Sequence, residues 1–281
     1  MNTTPWASHP LEGGVNRTLC ALQRGISISL ITTFDLKTCD AKDTVKDILT
    51  HPDFQPFDYI PVRDQDNIVG VWQRPQFSLT KEVLGGISMG KAMQPLHESI
   101  LISASASLIS FIEEADKTPF RLVLHGHRII GIVTISDLQK LAVRPVLFTL
   151  ITGVELLLAD WLRQYYPDDK DWMATLSAER STLIEQRWID SRRNNTAIDK
   201  ISISEFGDKR EAALKLGAFA RKTTARKQLQ DVEWLRHAVM HSGDYALTPE
   251  NAQRVACTVR AAQELIQVLQ DSLKREKESL S

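Results

Sequence analysis

The sequence predicts an α+β protein in two parts: a mixed β/α N-terminal half and an all-helical C-terminal half. Three observations carry this. From about Ile26 to Leu141, short β-branched runs alternate with short helical runs, punctuated by Pro, Gly and Asp. That stretch repeats its own element order once. From Pro145 onward, apolar residues recur at helical spacing and no convincing strand pair is found. The expected divisions are 1–25, an extension without assignment; 26–144, the repeat; and 145–281, the helices.

Taken in order, the strand candidates are Asp58–Val62, Ile68–Trp72, Arg121–Leu124 and Ile129–Val133. Turn residues join the members of each pair, Arg63 to Asn67 in the first and His125-Gly126-His127 in the second. One copy of the repeat runs from about Ile31 to Arg74 and the other from about Met93 to Leu141. Each reads strand, helix, strand, turn, strand, with the helices at Lys42–Thr50 and Leu108–Asp116. The closing segments NIVGVWQR and RIIGIVTISDL align on Gly70 and Gly131.

Helices follow at about Val146–Tyr166, Asp169–Ser191, Ser204–Leu216 and Ala218–His241. A last one begins at Thr248-Pro249-Glu250, a cap, a first-turn proline and an acid in order, and continues to about Lys277. Pro145 is expected to bend or break an otherwise continuous path from Ser136 to Tyr166.

Bulk properties narrow the function. The 281 residues suit one large domain or two ordinary ones. Lys and Arg number 34 against 35 acids, so overall charge does not draw the molecule to nucleic acid or anionic lipid. Cys20, Cys39 and Cys257 are odd in number and far apart, so neither a disulfide framework nor a zinc spacing emerges and a reducing cytoplasm is expected. The start, MNTTPWASHP, lacks an apolar signal core. The longest apolar run, Pro145 to Val154, meets Glu155 and Asp160. That is too short and too charged for a span, so a packed helix and no membrane partner are expected.

The ending GIVTISDL can bind phosphate and ribose. A strand ends at Val133, and Ser136 can cap a helix starting near Asp137, whose unpaired amides attract phosphate. The Thr134 hydroxyl can donate to a phosphate or ribose oxygen, and Asp137 can accept from ribose hydroxyls. A purine would then lie near Ile102. Equally, Thr134 and Asp137 can serve only to cap that helix.

The element order and this ending resemble the CBS domain, which occurs as tandem pairs, and the resemblance covers nearly half of the chain. It implies a tandem CBS (Bateman) module with an adenine nucleotide (AMP, ADP or ATP) as regulatory ligand, held by Ile102, Ser103, Arg121, Thr134 and Asp137. The first copy carries Gln73 and Gln76 where the second has Thr134 and Asp137, so it lacks both groups.

WLRHAVMHSG closes the penultimate helix. Gly243 is a natural stop. His237 and His241 share a face, while Arg236 lies about 140° around the axis from His241. The helix end favours imidazolium and nearby Arg opposes it, which would suit His241 to acid–base work. Read without context, these are solvated helix-end residues. The R-x-x-x-x-H pattern, the long helix after it and the segment Ile203–Asp208 resemble the HEPN family across roughly Val146 to Leu273. The resemblance implies an all-α bundle that is a homodimeric, metal-independent endoribonuclease, and a stress, toxin or anti-phage effector. His241 would act as acid–base group, Arg236 as phosphate clamp and His237 as a positioning group, with no catalytic metal. Arg221, Lys222, Arg226 and Lys227 form the expected RNA-binding track, since acids are sparse between Glu211 and Asp231. The rival expectation is a non-catalytic CBS nucleotide sensor that regulates a partner protein through a helical dimer.

Overall fold

The computed structural model describes residues 14–75, 86–194, 198–241 and 244–280. The chain divides into two compact units. One spans Ile26–Leu138, and the other combines the chain up to Gly25 with everything from Gln139 onward. The first element, α1 (Gly14–Gly25), therefore belongs to the helical unit.

The β-rich unit is built twice. The first copy is β1 (Cys39–Asp40), α2 (Val45–Thr50), β2 (Tyr59–Asp64) and β3 (Asn67–Gln73). After α3 (Met89–Ala92) and β4 (Gln94–Pro95), the second copy is β5 (Leu101–Ser103), α4 (Leu108–Glu114), β6 (Phe120–His125) and β7 (Arg128–Thr134). In each, the first strand is parallel to the second and the second forms an antiparallel hairpin with the third. The registers coincide: Tyr59 faces Gln73 as Phe120 faces Thr134, and Val62 faces Gly70 as Val123 faces Gly131. Both hairpins slip register at the same place, Val62/Arg63 and Val123/Leu124. Both turns use a left-handed residue at the same position, Gln65 (φ 55°) and Gly126 (φ 60°).

The aligned glycines have a physical reason. Each copy's last strand is edged by the segment leading into the other copy. β4 pairs with β3, and Thr33 bridges Ile132. A Cβ on Gly70 would lie 2.4 Å from the carbonyl oxygen of Gln94, and one on Gly131 would lie 2.7 Å from that of Thr33. Only glycine lets the backbones come this close.

Side-chain alternation along the strands sorts two cores. Val45 and Ile48 of α2 pack with Cys39, Ile60, Val62, Trp72 and Met89. Val71, Ile100, Phe120, Leu122 and Ile132, with Tyr59 against them, form a cluster shared by the two copies. The half-buried Tyr59 ring meets its repeat-mate Phe120 at 4.6 Å.

In the helical unit, α5 (Val143–Tyr165) is the central element, with Val146, Leu150, Val154, Leu157, Leu158 and Leu162 buried. It is long and apolar enough to cross a membrane by length and composition, which corrects the expectation that the run is too short. In this unit 61% of its apolar window is buried. Pro145 does not bend it. The proline is the third helical residue, in the first turn, where an amide has no intrahelical partner to lose. The interruption falls earlier, between the 3-10 turn Ile135–Gln139 and Val143.

The helix expected at Asp169–Ser191 is two, α6 (Asp169–Met173) and α7 (Ala178–Arg193), because the Ser177 hydroxyl accepts from the Arg180 amide and starts a new helix. Then come α8 (Lys200–Ile203), α9 (Phe206–Leu216), α10 (Lys222–Met240) and α11 (Pro249–Leu280). A capping box between Glu205 and Asp208 opens α9, and Gly217 at φ 90° closes it. Asp208 is buried and receives both arms of Arg180, at 2.9 and 2.6 Å. Burial pushes the Asp208 carboxyl up, but the bonds from Arg180 and the Glu205 amide outweigh it and hold the group below its usual value.

Candidate functional sites

The first site is the end of β7. The helix expected to begin near Asp137 is absent; Ile135–Gln139 is a 3-10 turn, and Ser136 does not cap an α-helix. Asp137 instead reaches back. Its Oδ2 accepts from the Thr134 amide at 2.6 Å and from the Thr134 hydroxyl at 3.1 Å. Asp137 is 8% exposed. Its carboxylate is a fixed acceptor, held by the amide and hydroxyl of Thr134.

Register sorts the other predicted residues. Thr134 faces Phe120, so it shares the face of Phe120, Leu122 and Ile132. Ser103 lies on that face as well, two residues from Leu101, which pairs with Leu122. Ser103 is exposed and bonded to Ser105 at 2.9 Å. Ile102 and Arg121 pair with Val123 and Val133 on the opposite face. Arg121 is buried there, donating to the Thr118 and Phe120 carbonyls and to Glu114 at 3.0 Å. Burial lowers its pKa and Glu114 opposes the shift. In the first copy the same position is Ile60. Arg121 therefore ties α4 to β6. In the first copy Gln73 is exposed at the strand end, and Gln76 lies outside the described residues.

The second site is the end of α10. His237 and His241 are exposed, their rings nearly parallel with centroids 6.3 Å apart. His241 is the C-cap residue, its amide bonded to the His237 carbonyl at 3.1 Å. The expected stop at Gly243 lies outside the described residues. Arg236 is half-buried and pairs with Glu155 at 3.6 Å. The same carboxylate meets the buried Lys209 at 3.1 Å. Glu155, distant in sequence, could not be foreseen as the partner of Arg236.

One member of the basic track has an acidic partner. Arg226 is held by Glu211 at 2.8 Å, and Arg210 is engaged by Glu211 and Glu233. Arg221, Lys222 and Lys227 remain exposed. Acids sparse along the chain are supplied in space by neighbouring helices. Among the described residues no group of three or more His, Cys, Asp or Glu side chains could hold a metal.

No family model and no curated protein matches the chain. Solved structures do. The CBS domain of the bacterial CNNM/CorC family Mg2+ transporter in complex with ATP is 18% identical, with a TM-score of 0.36, covering 48% of this chain and 97% of that one. CBSX2 in complex with AMP is 19% identical, with a TM-score of 0.34, covering 44% and 98%. The CBS domain of a membrane protein from Sphaerobacter thermophilus is 18% identical, with a TM-score of 0.36, covering 46% and 96%. None of these likenesses extends to the HEPN family.

Proposed function

We propose that this chain is a nucleotide-responsive regulator whose β-rich unit binds one adenine nucleotide at Thr134 and Asp137. The observation that carries the reading is the inequality of two geometrically equal strand ends. At the second, a carboxylate is preoriented by an amide and a hydroxyl; at the first stands an exposed glutamine. A fixed, largely dehydrated acceptor suits a ribose diol, because it loses little freedom on binding. The helical unit is the output, acting on a partner protein or on a second copy of the chain.

Calorimetric titration with AMP, ADP and ATP tests this. One of them binds the wild-type chain, and Asp137→Asn weakens it at least tenfold. Absence of binding by all three removes the reading.

A second reading has one observation in its favour. Two exposed imidazoles stack side by side at the end of α10, on the helix that also carries Arg236, and these are the groups that a homodimeric, metal-independent endoribonuclease with Arg236, His237 and His241 would use. Arg221, Lys222 and Lys227 would then meet RNA phosphates. The Glu155 carboxylate on Arg236 weighs against it, since a clamp for phosphate must first release that acid. Cleavage of total RNA by the purified chain, lost in both Arg236→Ala and His241→Ala, would establish this reading, and intact RNA with every adenine nucleotide present would remove it.

A further inference from the structure

Contacts from two side chains, Gln139 and Arg144, converge on the chain on either side of His241. With its amide oxygen turned inward, Gln139 accepts from the Ala246 amide at 2.7 Å and from the Tyr245 amide at 3.0 Å. Arg144, in the first turn of α5, donates to the Val239 carbonyl at 3.1 Å, in the last turn of α10. Its guanidinium also lies over the Tyr245 ring, 5.4 Å from the centroid. Tyr245 and Ala246 are each 1% exposed, so these amides have no water to turn to if Gln139 lets go. The residues on either side of His241 are thus gripped by a segment that begins two residues after Asp137, within one 3-10 turn.

We infer that Gln139 and Arg144 are positioning residues for His241, and that Gln139 passes the state of Asp137 to it. This rests on the nucleotide reading above. The Asp137 carboxylate accepts from the amide and hydroxyl of Thr134. A ribose hydroxyl that donates to this carboxylate competes with those bonds. Any rotation of the turn Ile135–Gln139 that follows is delivered to the Gln139 side chain, because Leu138 between them is fully buried and moves as part of the packed chain. Loss of the two Gln139 bonds frees the backbone at Tyr245 and Ala246, and with it the orientation of the His241 imidazole. Arg144 supplies the fixed end of the grip, on the helix itself. The output of the nucleotide site is therefore the geometry at the end of α10, whether that end cuts RNA or meets a partner.

Amide hydrogen exchange resolved at Tyr245 and Ala246 tests this in the full chain. Without nucleotide, Gln139→Ala speeds exchange at both amides about tenfold. Gln139→Glu, which keeps an acceptor oxygen at that place, stays near wild type. Amides in the middle of α5 exchange alike in all three proteins, which separates local release from loss of the fold. Saturating AMP changes exchange at Tyr245 and Ala246 in the wild type and in Gln139→Glu, and has no further effect in Gln139→Ala. Equal rates in Gln139→Ala and wild type overturn the grip. AMP that binds by calorimetry yet leaves exchange unchanged overturns the transmission alone. Failure of AMP, ADP and ATP to bind removes the nucleotide reading and the transmission with it, while the first comparison still decides the grip.

Discussion

The two copies of the β-rich repeat share a backbone and differ in chemistry. Their hairpins pair in the same register, slip at the same residue and turn through the same left-handed position. Yet Ile60 becomes Arg121 on the helix-facing side, and Gln73 becomes Thr134 at the strand end. Backbone geometry is fixed by a few demands that both copies meet, namely a glycine where strands crowd and apolar residues at alternate positions. The strand ends lie outside those demands, so one copy can hold a ligand-binding pair while the other does not. A site inside a repeat is located by where the copies diverge.

The largest expected effect tests what the copies share. Gly70→Ala and Gly131→Ala each drive a methyl against a backbone carbonyl. Each should destabilise the chain by about 3 kcal/mol in denaturant unfolding. A much smaller cost in one copy would show that its edge segment is loosely held.

Next is a contrast between ion pairs. In the helical unit Arg180 and Asp208 form a two-armed pair with the carboxylate buried. Asp208→Asn should cost about 2 kcal/mol, less than a fully buried pair because Arg180 is 32% exposed. The Asp208 carboxyl is held below its usual value in the folded chain, so its contribution is complete above the unfolded pKa near ~4 and is lost as pH falls through the folded value. Acid unfolding followed by helical circular dichroism should therefore begin at higher pH for Arg180→Met than for wild type.

Arg121 tests the contrast inside the repeat. Arg121→Ala leaves a cavity and takes a donor from the Thr118 and Phe120 carbonyls, and should cost about 2 kcal/mol. Arg121→Ile copies the first repeat and should stay within about 1 kcal/mol of wild type, with nucleotide affinity unchanged. Lost affinity would return Arg121 to the binding site.

Thr134→Gln copies the first repeat's strand end into the second and should weaken nucleotide binding about tenfold by calorimetry, with unfolding midpoint unchanged. The smallest effect runs the other way. Gln65 occupies a left-handed turn position that the second copy gives to Gly126. Gln65→Gly should raise stability by about 1 kcal/mol.

Much of this was legible in the sequence. The strand pairs, the two-fold repeat and the alignment of Gly70 with Gly131 follow from alternation and punctuation, which are local. The sequence singles out Thr134 and Asp137 as ligand contacts or helix caps, without the bond between them. That the carboxylate folds back on the strand end depends on the short turn at Ile135–Gln139, which no periodicity announces. The partners of Arg121, Glu114 and two carbonyls, are not legible in the sequence because they are fixed by how α4 meets β6. The acid beside Arg226 is hidden for the same reason, since Glu211 arrives from α9. The helix break at Ser177 rests on a local cap, the Ser177 hydroxyl accepting from the Arg180 amide.

The account turns on a nucleotide held by one copy alone. Titration of the labelled chain with AMP, followed by amide chemical shifts, tests that most directly. Gly131 through Asp137 should shift and saturate, with Val69 through Gln73 staying in place. Equal shifts at both strand ends, or none at Thr134 and Asp137 at saturating AMP, would contradict it.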